Sequence, residues 1–91
     1  MFDFDITDEL KDVMIKLQKK DKTRLSILNK KIKEIITSNH ITINHYKNLR
    51  HNLSNYKRVH IDKSFVLLFS VNKEKNHILF VKIKHHDEIY N

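Results

Sequence analysis

The chain contains no cysteine, no glycine and no proline. Without cysteine there is neither a disulfide framework nor a thiolate zinc site, which is compatible with a reducing cytoplasm. Without glycine there is no P-loop and no dinucleotide fingerprint, because both close the backbone around a phosphate. Turns fall instead to Asn and Asp, which tolerate the left-handed region best after glycine. No run of eighteen apolar residues exists, so no segment reads as a membrane-spanning helix. The opening Met1-Phe2-Asp3-Phe4-Asp5 is acidic where a secretory leader is basic.

What is present is enough chain for one small domain, residues 1–91, with a single core. The formal charge is +7 and it is uneven. Residues 1–40 carry nine Lys/Arg and seven Asp/Glu, while residues 41–91 carry nine and four and hold six of the seven histidines. A basic, histidine-rich C-terminal half points to a polyanionic partner, nucleic acid first. The plain alternative is a lysine-rich solvated surface.

Phe2-Asp3-Phe4-Asp5-Ile6 alternates and reads as a short strand with Phe2, Phe4 and Ile6 inward. Thr7 or Asp8 can cap the helix that follows, whose apolar stripe is Leu10, Val13, Met14 and Leu17. Asp21 can cap a second helix with the stripe Leu25, Leu28, Ile32, Ile35 and Ile36. So close a connection predicts an antiparallel helix hairpin. Its lysines read first as a solvated face; the functional alternative is that they track phosphates without reading sequence. Residues 40–55 read as irregular, with room for a short strand near Ile41–Ile43. Three strands follow at 56–62, 65–72 and 77–86, joined by turns at 62–64 and 73–76. The middle strand is apolar on both faces, as a central strand should be. The expected fold is α+β: a two-helix hairpin packed on a mainly antiparallel sheet in the order β-α-α-β-β-β.

Tyr56-Lys57-Arg58-Val59-His60-Ile61 alternates with period two. If Val59 and Ile61 face the core, Arg58 and His60 share the open face. Along residues 78–86, strict alternation puts Leu79, Val81, Ile83 and His85 on one face and Ile78, Phe80, Lys82, Lys84 and His86 on the other. The simplest sheet therefore gathers Arg58, His60, Lys82 and His86. Lys57 has the wrong parity for that face unless a bulge intervenes. His85, His86 and Asp87 make a poor metal site, because adjacent strand residues point to opposite faces.

Leu49, Leu53, the run from Tyr56 to Ile61, the aliphatic Phe65-Val66-Leu67-Leu68-Phe69 and the terminal His85-His86-Asp87-Glu88-Ile89-Tyr90 resemble the RelE/ParE toxin superfamily. The resemblance is greatest to its RelE and YafQ-like branch. The element order agrees, so the resemblance spans nearly the whole chain. It implies a cytoplasmic toxin of a type II toxin–antitoxin pair that cuts mRNA on the ribosome, with an antitoxin protein, the ribosome and the message as partners and no cofactor. By this resemblance His60 and His86 match two histidines of the branch, Tyr90 its terminal aromatic, and Lys82 a position often held by arginine. Lys57 and Arg58 match a basic stretch. The chain departs from the pattern in lacking Gly and Pro, in Ser64 where an acidic residue is common, and in Lys47, flanked by His45 and His51, where a histidine is expected.

The implied reaction is attack of a ribose 2′-OH on the adjacent phosphodiester. It needs a base, an acid and cations, and no metal. Histidine suits the first two roles, because its unperturbed pKa of about 6.5 lets either form exist near neutrality. The expected roles are His60 as base, His86 as acid, and Arg58 and Lys82 as phosphate-stabilising cations. Lys57, Lys84, Arg50 and Tyr90 are expected to bind the RNA. The alternatives are a non-catalytic gyrase inhibitor of the ParE type and a silent relative that binds only RNA or its antitoxin.

Overall fold

The computed structural model describes residues 1–50 and 54–90, with Tyr90 described in its backbone alone. The chain runs β1 (Asp3–Ile6), α1 (Asp8–Lys20), α2 (Lys22–Ile36), a 3-10 turn (Thr42–His45), β2 (Lys57–His60), β3 (Phe65–Asn72), β4 (His77–His85) and α3 (His86–Tyr90). Thr7 caps α1, its hydroxyl accepting from the Leu10 amide at 3.2 Å. Asp8 and Glu9 fill the first turn of α1 and Lys19 and Lys20 its last, matching the helix dipole. Asp21 alone joins the helices. Its amide donates to Leu17 O, closing α1, and its carboxylate accepts from the Arg24 amide, opening α2.

The four strands form one sheet in the order β1-β4-β3-β2, with β1 parallel to β4 and the other pairs antiparallel. The fold is therefore α+β as expected, on a mixed sheet and with a short third helix. The hairpin covers one face. Leu10, Leu28, Ile32 and Ile35 meet Leu67, Phe69, Ile78 and Phe80 there, all essentially inaccessible to solvent. A smaller core lies on the other face, where Leu49, Val66 and Leu68 gather Tyr56 and Ile89. Phe2 is buried as expected, but Phe4 is 42% exposed. It sits on the edge strand and meets the Phe80 ring edge to face.

Two local expectations change. The segment near Ile41–Ile43 is a 3-10 turn, not a strand. Asn39 accounts for this: its side-chain oxygen accepts from the amides of Ile41 and Thr42 at 2.8 and 2.9 Å, winding the chain as a cap does. The second change is in β4. Leu68 pairs with Lys82 but Phe69 pairs with Phe80, so Val81 is an extra, bulged residue. The bulge breaks strict alternation. Ile78, Phe80 and Ile83 all belong to the helix-side core, while Lys82 and Lys84 fall on the open face.

The bulge is secured by Thr7. Its hydroxyl donates to the Val81 carbonyl, and its amide donates to the Phe80 carbonyl at 3.0 Å. One side chain thus caps α1 and satisfies the carbonyl that the bulge exposes. Thr7→Ala is expected to cost about 2 kcal/mol, about 1 for the cap and about 1 for the lost hydrogen bond. Thr7→Ser should recover most of that loss in urea unfolding.

Candidate functional site

On β2 the alternation resolves as the sequence implies. Val59 packs into the helix-side core, while Arg58 and His60 lie opposite Leu68 and Val66, residues of the open-face core. His86 reaches the same place by another route than a strand. β4 ends at His85, and the His86 amide donates to Ser64 O at 2.7 Å, turning the chain back over the end of β3. As the first residue of α3, His86 lies beside His60, with ring centroids 5.5 Å apart and planes 36° apart. His60 is exposed and His86 half-buried, so both rings stay accessible from the open face.

The cations are arranged in two columns. Arg58 stands two residues from His60 along β2, about 7 Å at strand spacing. Lys82 and Lys84 lie on the same face but across β3, opposite Leu68 and Val66. That places them about 10 Å from the β2 column, two strand spacings away. Ile89 of α3 packs on Val66 and Leu68 between the columns. Lys82 therefore lies on the open face, as the alternation implied, on a strand two spacings from His60.

Lys57 turns the other way. Its ammonium donates to Tyr46 O at 3.0 Å and Asn48 Oδ1 at 2.9 Å, and Asn48 bridges to Lys57 as an isolated strand pair. Burial, and then the nearby Lys73, hold its pKa below the usual lysine value. Lys57 thus pins residues 46–48 along the outer edge of β2, where Arg58 N also donates to Lys47 O. Its ammonium, expected at the RNA, is engaged in these hydrogen bonds within the chain. Tyr46 is itself pushed up in pKa by burial and then by Glu34. Arg50 is exposed, next to Leu49 of the open-face core. The side chain of Tyr90, and His51 and Leu53 entirely, lie outside the described residues.

A group that sequence reasoning missed braces the end of the sheet. Arg24 of α2 donates to Asp62 at 2.9 Å, pairs with Asp21 at 3.3 Å, and lies over the Phe65 ring, 4.4 Å from its centroid. The His85 ring meets Phe65 edge-on at 5.4 Å. Phe65 is consequently half-buried beneath a cation and not a core residue. The turn at Asp62 was readable from its residue types, but nothing near it announced an arginine 38 positions away. Asp87 follows the pair, its carboxylate 3.6 Å from His85 Nδ1 and 3.8 Å from His86 Nδ1.

Burial pushes the Asp62 carboxyl up, but the Ser64 amide, the Arg24 side chain and the Phe65 amide together hold it below the usual aspartate value. A carboxyl with a depressed folded-state pKa stabilises the fold above its unfolded pKa of about 3.9 and loses that contribution as pH falls through the lower folded value. At neutral pH, Asp62→Asn should cost about 1.5–3 kcal/mol, the range for hydrogen bonds to a charged group. The gap between wild type and variant in urea unfolding should close as the pH is lowered below about 4.

No protein-family model matches the chain. It is 47% identical over 90 residues to a Methanocaldococcus jannaschii protein named "Putative toxin RelE4", spanning 99% of this chain and 92% of that one. It is 41% identical to an uncharacterized protein of Methanosarcina mazei, over 99% and 100% of the two chains. Among solved structures, a YafQ mutant from E. coli superposes with a TM-score of 0.72 at 13% identity, over the whole of both chains. The YoeB–YefM complex from Staphylococcus aureus gives 0.74 at 21% identity, over 94% and 98%.

Proposed function

Because the chain belongs to the RelE family of toxins, we propose that it cuts messenger RNA on the ribosome and is held inactive by a cognate antitoxin protein. The observation that carries this reading is the pair of accessible imidazoles, 5.5 Å apart on the open face, with Arg58 on the same strand as His60. Transesterification at phosphorus requires a base on the 2′-OH, an acid for the leaving 5′-oxygen and a cation for the growing negative charge. His60 takes the first role, His86 the second and Arg58 the third. The rings lie side by side, so they approach one phosphate obliquely from neighbouring positions. Lys82 and Lys84, about 10 Å across the sheet, hold flanking phosphates and leave the scissile one to Arg58.

Electrostatics agree with the partners. A chain of net charge +7 attracts both RNA and an acidic protein. The related toxin YoeB has been solved together with YefM. The test is induced expression followed by primer extension on a translated message. Cleavage within codons, absent on the same untranslated RNA, is expected. Growth arrest with DNA-damage signalling and intact message would overturn the reading in favour of a gyrase inhibitor.

A further inference from the structure

The charge of this chain is segregated far more sharply than its halves suggest. Residues 1–12 hold five Asp/Glu and one Lys, whereas residues 16–33 hold eight Lys/Arg and one Asp. The second stretch alone carries an excess equal to that of the whole protein. It forms the C-terminal end of α1 and most of α2. Two of its cations are engaged, Arg24 with Asp21 and Asp62, and Lys31 with Glu34 at 3.6 Å. Lys22, Lys30 and Lys33 are exposed and make no ion pair among the described residues.

These three lysines line one open groove on the hairpin, of about 390 Å³, together with Gln18, Leu25, Ser26 and Asn29. Lys22, Ser26, Lys30 and Lys33 fall at i, i+4, i+8 and i+11 of α2. They form a single stripe about 16 Å long at the helical rise. The hairpin packs on the sheet face opposite the histidine pair. The groove therefore lies on the back of the molecule, where it cannot hold the phosphate that the front face addresses.

We propose that this groove is a second RNA-binding surface, which grips the phosphate backbone of an RNA segment distinct from the one at His60 and His86. Its chemistry favours a phosphate backbone over an acidic peptide. A docked amphipathic peptide needs a row of apolar anchors in its groove, and this one offers only Leu25. Ammonium, amide and hydroxyl groups alternating along a helix are what sequence-independent phosphate contacts require. Two cationic faces on opposite sides of a thin sheet allow the protein to be clamped between a message and a structural RNA. This goes beyond the cleavage reading and does not depend on it, since it concerns binding alone.

The test is fluorescence anisotropy with the full chain and a labelled structured RNA hairpin of about 30 nucleotides, titrated with salt. In Lys22→Gln/Lys30→Gln/Lys33→Gln, affinity at low salt should fall at least tenfold. The slope of log affinity against log salt should become shallower by about 2–3, about one per lost phosphate contact. The corresponding triple Arg variant should keep both. Arg58→Gln/Lys82→Gln/Lys84→Gln should lower the slope independently, because it strips the other face. Unfolding curves of the glutamine variant should match wild type, since the three side chains are exposed. An unchanged slope and affinity would overturn the proposal and leave a solvated lysine face. So would selective loss of binding to a polyglutamate peptide with RNA binding intact, which would make the groove a peptide site.

Discussion

His60→Ala and His86→Ala are each expected to slow message cleavage by about 10²–10⁴, the contribution of one positioned acid or base. Both variants should unfold as wild type does, within about 0.5 kcal/mol, because His60 is exposed and His86 only half-buried. The double variant should be little worse than either single one, since an acid and a base acting in one step do not contribute additively. Their pH profiles should separate the roles. A base must be unprotonated, so rate rises with pH through its pKa; an acid must be protonated, so rate falls above its own. Removing His60 should abolish the acidic limb of the bell, and removing His86 the alkaline one. Single-turnover cleavage on programmed ribosomes measures all of this. If both single variants cut at wild-type rate, the pair is not the reacting centre.

Much of that site was legible because β2 obeys a short-range rule. Alternation alone placed Arg58 and His60 on one face and gave Lys57 the opposite parity, and the register against Leu68 and Val66 agrees. The helix hairpin was legible for the same reason, since caps and apolar stripes act within a few residues of one another. What sequence could not supply were contacts set by tertiary turns. His86 meets His60 through an amide bond to Ser64 and a helical turn, not through strand pairing. Arg24 braces Asp62 and Phe65 from a different element. The spacing of Lys82 from His60 follows from the strand order, with β3 between β2 and β4, and the bulge at Val81 that sets its face is not announced by any local pattern. The lysines of the hairpin were legible, but the net balance of residues 1–40 understated their concentration, because the acidic start of α1 cancels the basic stretch after it.

Deleting Leu79 is expected to cripple the fold, whereas deleting Val81 should leave it folded. The difference comes from count and not from contacts. Val81 is the extra residue of the bulge, with no partner of its own on β3. Without it Phe80 is followed directly by Lys82, and strict alternation then puts Ile78, Phe80 and Ile83 inward and Lys82 and Lys84 outward, the facings that the bulged strand already has. The deletion removes the carbonyl that accepts from the Thr7 hydroxyl, and one such hydrogen bond is worth about 1 kcal/mol. Leu79 has a partner in the ladder, Ser70, and its removal offers the strand only two registers. If the bulge stays at Val81, Ile78 turns out to solvent. If the bulge is ironed out, Val81 takes the inward place of Phe80, and Phe80 turns out. Ile78 and Phe80 are both fully buried. Losing a buried Phe side chain costs about 3–5 kcal/mol and a buried Ile about 2–5, a large share of the about 5–14 kcal/mol by which a domain of this size is stable. Thermal unfolding followed by circular dichroism checks both variants: the Val81 deletion should keep a cooperative transition, and the Leu79 deletion should lower its midpoint far more. Equal losses in the two variants would mean that the facings of Lys82 and Lys84 do not follow from the count of residues in β4.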